Sequence, residues 1–123
     1  MKVKVSEVKD IALDWLVAKC EGKNGVLHDD EITRCIVVAA PSGVYKGIWK
    51  PHFIWMQAGP IIEREKIKIS PNLVDSWSAQ IHRKKGELAG WTSSTGSTPL
   101  IAAMRCYVAS KMGEEVEIPE GLL

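Results

Sequence analysis

With 123 residues, of which 46% are hydrophobic and 25% charged, the chain has material for one hydrophobic core, and its composition excludes both wholesale disorder and a collagen-like or low-complexity polymer. A formal net charge of +1 supplies no general field that would draw it onto a nucleic-acid backbone or an anionic membrane, so any anion site has to be local. No apolar run approaches the roughly 20 residues of a membrane span, and Met1 to Ser6 leads into a charged stretch where a signal peptide would be apolar; the expectation is a protein neither secreted nor membrane-inserted.

In chain order, Lys2-Val3-Lys4-Val5 alternates with period two and predicts a short strand. From Glu7 to Cys20, Val8, Ile11, Ala12, Trp15 and Leu16 recur at helical spacing, predicting an amphipathic helix with Ser6 as N-cap and Gly22 as stop. Residues from Glu21 to Asp30 read as a loop, and Ile32 to Ala39 as a buried β-branched strand. Pro41-Ser42-Gly43 turns the chain, Val44 to Trp49 returns as the second strand of a hairpin, and Pro51 ends it. The section from Pro51 to Pro60 reads as irregular, Glu63 to Lys66 as strand or turn, and Ile67 to Ser70 as strand. Trp77 to Ile81 fits a strand or a helical turn before the basic stretch from His82 to Gly86, and Trp91 to Ser97 reads as a hydroxyl-rich loop. The last element is the clearest: Thr98 as N-cap, Pro99 at the first helical position, Leu100, Ile101, Met104, Tyr107, Val108 and Met112 along one face, and Gly113 past the end. The predicted class is α+β, a single domain over residues 1–123 with two helices, one near each end, packed on a small, mainly antiparallel sheet.

Three segments carry a family resemblance: Lys2 to Val5 leading to Ala12-Leu13-Asp14-Trp15-Leu16-Val17-Ala18-Lys19; Gly59-Pro60-Ile61-Ile62-Glu63-Arg64-Glu65; and the long block from Thr98 to Lys111. Together they resemble the bacteriophage NinX family. The resemblance implies an accessory protein of lambda-like phages and prophages acting in the host bacterial cytoplasm, and it implies no established activity. Family members often carry a Ser/Thr-rich stretch ending in Asp-Trp before Gly-Pro-Ile-Ile, whereas this chain reads Lys50-Pro51-His52-Phe53-Ile54-Trp55. Trp55 is kept and the acid before it is replaced by Ile54, so any ligand contact made by that acid does not carry over.

The chemistry-bearing residues do not form a catalytic motif. His28, His52 and His82 stand in separate segments without metal-ligand spacing, and no nucleophile signature is present. Cys20, Cys35 and Cys106 are odd in number and far apart, as reduced, core-filling thiols are. The acids of His28-Asp29-Asp30-Glu31 fit a cation site less well than a solvated turn, and Arg83-Lys84-Lys85 reads as a solvated loop before it reads as a phosphate contact.

Two features point to a ligand. Five tryptophans stand against one phenylalanine, and Trp49, Trp55, Trp77 and Trp91 fall outside the periodic helix faces; indole faces stack on bases, or else wedge into a core that lacks Phe. Thr95, Ser97 and Thr98 precede a helix whose free amides attract anions, and Arg64 and Arg105 are suited to bidentate anion contacts. These nine residues define the expected ligand site. The expected function is non-catalytic, without cofactor or metal: sequestering a small anionic nucleotide-like ligand, such as a host immune signal, with further copies of the chain in a homo-oligomer as the other candidate partner. The alternative is a protein-interaction module modulating a host or phage enzyme, which predicts an exposed apolar patch. The net charge argues against nucleic acid as partner.

Overall fold

The computed structural model describes residues 1–39, 46–83 and 90–123. Three helices, α1 (Asp10–Cys20), α2 (Trp55–Glu65) and α3 (Pro99–Met112), pack with eight strands in three antiparallel sheets, an α+β architecture. β1 (Lys2–Lys4) pairs with β8 (Glu115–Glu117), closing the two ends of the described chain on each other. β2 (Val26–Asp29), β3 (Arg34–Ala39) and β4 (Lys46–Trp49) form one three-stranded meander. β5 (Lys68–Pro71), β6 (Trp77–Arg83) and β7 (Gly90–Gly96) form the other.

The final helix is as the sequence predicts. The Thr98 hydroxyl accepts the Ile101 N–H at 3.2 Å, Pro99 opens the helix, and Gly113 leaves it at φ +92°, a conformation that costs a glycine little. α3 lies across β5–β7 and against α1. Gly96 sits in the tight turn into it, where a Cβ would stand 2.6 Å from the Ala102 nitrogen.

Four expectations are corrected. Helix α1 starts at Asp10, not Glu7; Ser6 lies in a 3-10 turn over Val5–Glu7 and caps nothing, and the N-cap position is Lys9. The helix is also buried on most of its surface, Asp14 included, because α3 covers one side and the β2–β4 sheet another. The segment read as irregular up to Pro60, then strand or turn, is helix α2: Ala58, Ile61 and Ile62 pack on the core, and this outweighs the bond that Pro60 cannot donate. Met56, whose carbonyl lies four residues before Pro60, is exposed, so water can take the vacant acceptor. The loop from Glu21 to Asp30 contains β2, and the hydroxyl-rich loop from Trp91 is β7, so one sheet with two helices becomes three sheets with three helices. The Pro41-Ser42-Gly43 turn and most of the His82 to Gly86 stretch lie outside the described residues.

Candidate functional site

The two meanders have the same topology and opposite outer faces. Register places Leu27, Ile36 and Trp49 in one cross-strand row of the first sheet, facing α1, and Val26, Val37 and Ile48 in the next row, facing away from it. That outer row is wholly apolar, with Val37 half-buried, Val26 39% exposed and Ile48 53% exposed. In the second sheet the inner row is Ile69, Ala79 and Ser94, and the outer rows are Lys68, Gln80 and Ser93, then Ser70, Ser78 and Thr95. Its outer face is thus polar except for Trp91, which stacks on His82 with ring centroids 4.7 Å apart.

The apolar face continues toward the start of α2. Gln57 ties the two together, donating its amide to the Ile48 carbonyl at 2.7 Å and accepting the Lys50 N–H at 2.6 Å. Phe53, Trp55 and Met56 all stand exposed there, Met56 at 87%, with the Lys50 ammonium 5.3 Å from the Phe53 ring. This segment is pinned from below. His52 sets Nδ1 2.7 Å from Asp14 Oδ2 and donates its backbone N–H to Oδ1 at 3.1 Å, while the Trp49 indole donates to the Asp14 carbonyl at 3.1 Å. Asp14 has no exposed surface; burial, the largest influence, pushes its carboxyl above the ordinary range, against the hydrogen bonds and charge of His52.

The nine expected ligand residues are not brought together. Trp49 is buried and fills the space between α1 and its sheet, with Lys23 over its ring. Trp77 is half-buried against the core, whereas Trp55 and Trp91 are exposed on separate elements. Arg64 is held by the carboxylates of Glu21 and Glu65 and lies over Tyr107, and those hydrogen bonds raise its pKa. Arg105 donates to the Val8 carbonyl at 2.7 Å and the Thr95 carbonyl at 3.0 Å, which makes it a strut between chain segments. Ser97 and Thr98 are exposed at the start of α3, and the Thr98 hydroxyl is occupied as the helix cap. The anion pocket expected at this helix start is therefore not assembled by the expected residues.

Sequence reasoning missed Asp14, His52, Val26, Val37, Ile48 and Met56. A charged residue inside the apolar pattern of α1 was the one available signal for Asp14; the outer row required the strand register. The other acids and thiols are accounted for locally. Asp30 accepts from the Ile32 and Thr33 amides and from His28, holding a turn. Burial pushes the Cys20 thiol up to about 11 and the Cys106 thiol up to about 12, so both are protonated at neutral pH. Among the described residues no group of three His, Cys, Asp or Glu side chains is placed to hold a metal ion.

A cleft of about 750 Å³ lies elsewhere. It is a trough floored by α3 at Ala109, with β7 as one wall and the β1 and β8 region as the other.

Fold and surface together define a small α+β protein in which, among the described residues, the outer row of β2–β4 is apolar and exposed at Val26 and Ile48. Its residues 4–111 match the model of the family described as Bacteriophage P22, NinX, and the chain belongs to that family. No curated protein matches it. No helix among the described residues is long and apolar enough to cross a membrane. Ile54 is the N-cap of α2 and gives it no side-chain hydrogen bond.

Proposed function

We propose that this NinX protein is a non-catalytic phage accessory protein that works in the host bacterial cytoplasm by docking another protein on the outer face of β2–β4 and the adjoining start of α2. The observation that carries the reading is the row Val26, Val37, Ile48, apolar across all three strands and open to solvent at both edges. Beside it stand Phe53, Trp55 and Met56, residue types that anchor interfaces, on a segment immobilised by Asp14 and Gln57. Holding exposed aromatic side chains rigid lowers the entropy lost on docking. The His52–Asp14 pair has the form of an oriented base, but its other ring nitrogen lies 3.9 Å from the Asp10 carboxylate, which is no nucleophile for it to activate; this supports a binding role over a catalytic one.

Sequestration of an anionic nucleotide-like ligand, as in an anti-defence sponge, has one supporting observation: the trough beside Trp91, which Ser93 and Ser94 also line. Its charge opposes that ligand, since Glu114 and Glu115 line it against Lys4.

The test compares wild type with Ile48→Glu on a support exposed to lysate of phage-infected host cells, alongside sedimentation and melting of the free proteins. The expected result is a defined partner held by wild type and lost by the variant, with the melting temperature little changed. Equal capture by both overturns the reading. A dimer that Ile48→Glu dissociates assigns the face to a second copy, and a melting temperature raised by a nucleotide panel restores sequestration.

A further inference from the structure

A separate surface carries its own inference. The second meander ends in β7, whose far side borders no strand among the described residues. Exposed strand edges pair with other chains unless they are blunted by charge, proline or shortness. Its opposite edge, β5, is four residues long and carries Lys68 and Pro71, and the edges of the first meander, β2 and β4, are also four residues long, β2 with Asp29. β7 runs seven residues, Gly-Trp-Thr-Ser-Ser-Thr-Gly, without a charge or a proline. Among the described edges of the two meanders it is the longest and the least blunted, and it forms a wall of the trough.

The dimensions fit an added strand. At a rise of ~3.4 Å, a strand spacing of ~4.8 Å and a depth of ~10 Å, extended chain takes roughly 160 Å³ per residue, so the trough accepts about four to five residues. The facing wall is fixed, because β1 pairs with β8 and the Val5 N–H donates to the Glu114 carbonyl at 2.8 Å. The charge selects the occupant. Glu114 and Glu115 lie at the negative end of α3, and Lys4 is the cation lining the trough against them. Lys2, 3.4 Å from Glu115, is a second cation but is exposed on β1.

We propose that the trough receives an extended, basic peptide segment of another protein, which adds as a strand to the free edge of β7 with its cationic side chains toward Glu114 and Glu115. Main-chain hydrogen bonds supply the affinity of such additions and side-chain pockets the specificity. Trp91, 63% exposed near the start of β7, supplies an apolar surface for one side chain. A nucleotide phosphate would meet the same two acids, and a second copy would bring the same acids against them. This inference is independent of the β2–β4 face, and each stands or falls alone.

The experiment screens a display library of random nonapeptides against the full chain and measures the best binder by fluorescence anisotropy. The expected binder is rich in Lys or Arg and in β-branched residues, loses at least tenfold affinity when alternate backbone nitrogens in at least one frame are methylated, and loses about tenfold with Glu114→Lys/Glu115→Lys. Ile48→Glu leaves its affinity unchanged. Both acids are exposed, and the melting temperature of the double variant reports whether it folds; should it not, added salt provides the same reading by weakening a basic binder and sparing its neutral analogue. No enriched peptide, an acidic consensus, indifference to methylation in both frames, or displacement by a nucleotide at equal concentration overturns the proposal. So does self-association of the chain through β7 that the peptide cannot compete.

Discussion

The two meanders share strand number, pairing and a helix on the inner face, yet one ends in hydroxyls and amides toward solvent and the other in Val26, Val37 and Ile48. Folding demands only the inner rows, Leu27, Ile36 and Trp49 in one sheet and Ile69, Ala79 and Ser94 in the other. A sheet with one face on the core normally shows polar residues on the other. The second sheet follows that rule, and the first departs from it where the proposed partner docks. The comparison teaches that stability and interaction are read from opposite faces of the same strands.

It breaks most severely at Asp14. Asp14→Ala leaves both the His52 ring nitrogen and the His52 backbone N–H without their acceptor, an expected loss of about 1–3 kcal/mol for each. Denaturant melts measure the loss, and the intensity of Trp49 emission reports whether the segment from Lys50 to Met56 has come away. The second region has its own point of failure in Gly96→Ala, whose Cβ meets backbone 2.6 Å away in α3. An overpacking cost of ~1–3 kcal/mol is expected, with the Trp49 signal unchanged at temperatures below the transition. If both variants alter the same local signals, the two regions are not separable.

A smaller effect with the opposite sign sharpens the picture. Ile54→Asp places an acid at the N-cap of α2, where a side-chain acceptor for the first-turn amides stabilises by about 1 kcal/mol. The expected result is a raised melting temperature, and a lowered one shows that the half-buried Ile54 contributes more by packing than an acid does by capping.

The smallest effect concerns the ties around α3. Tyr107 donates to Glu21, and Arg64 forks onto the same carboxylate. Burial, the largest single influence, raises the Glu21 pKa, but the combined hydrogen bonds and charges of Arg64 and Tyr107 outweigh it and hold it below the ordinary 4.5. Its stabilisation is therefore complete above pH 4.5 and is lost as pH falls through the lower folded value. Asp14 has the reverse sign, contributing fully below its ordinary 3.8 and losing that contribution as pH rises through its higher folded value. Glu21→Gln is expected to flatten the acid limb of melting temperature against pH, and Asp14→Asn to steepen it. Parallel curves for wild type and Glu21→Gln would show that solvent screens the partly exposed Arg64 pair.

Much of the outline was legible because it is local. The Thr98 cap, Pro99 and Gly113 bound α3 through interactions within a few residues, and the alternation of Lys2 to Val5 marks β1. Helix α2 was hidden by Pro60, a reliable breaker overridden by packing of Ala58 and Ile61. β7 was hidden because Thr and Ser are frequent in loops, and only pairing with β6 turns their alternation into a strand face. The dispersal of the expected ligand residues was hidden for a related reason: Arg64 and Arg105 are engaged by Glu21, Glu65 and backbone carbonyls supplied by distant segments.

By itself, then, the sequence determined the α+β class, the first and last helices, the capping of α3 and the family, since these rest on periodicity, short-range hydrogen bonds and contiguous motifs. Only the tertiary structure decided which apolar residues remain outside, which charges are already paired and which strand edge stays open. Those properties depend on register and on contacts between residues well separated in the chain, such as Val26 with Val37 with Ile48, or Asp14 with His52. No local pattern encodes them, because a strand row exists only once its neighbours are in place.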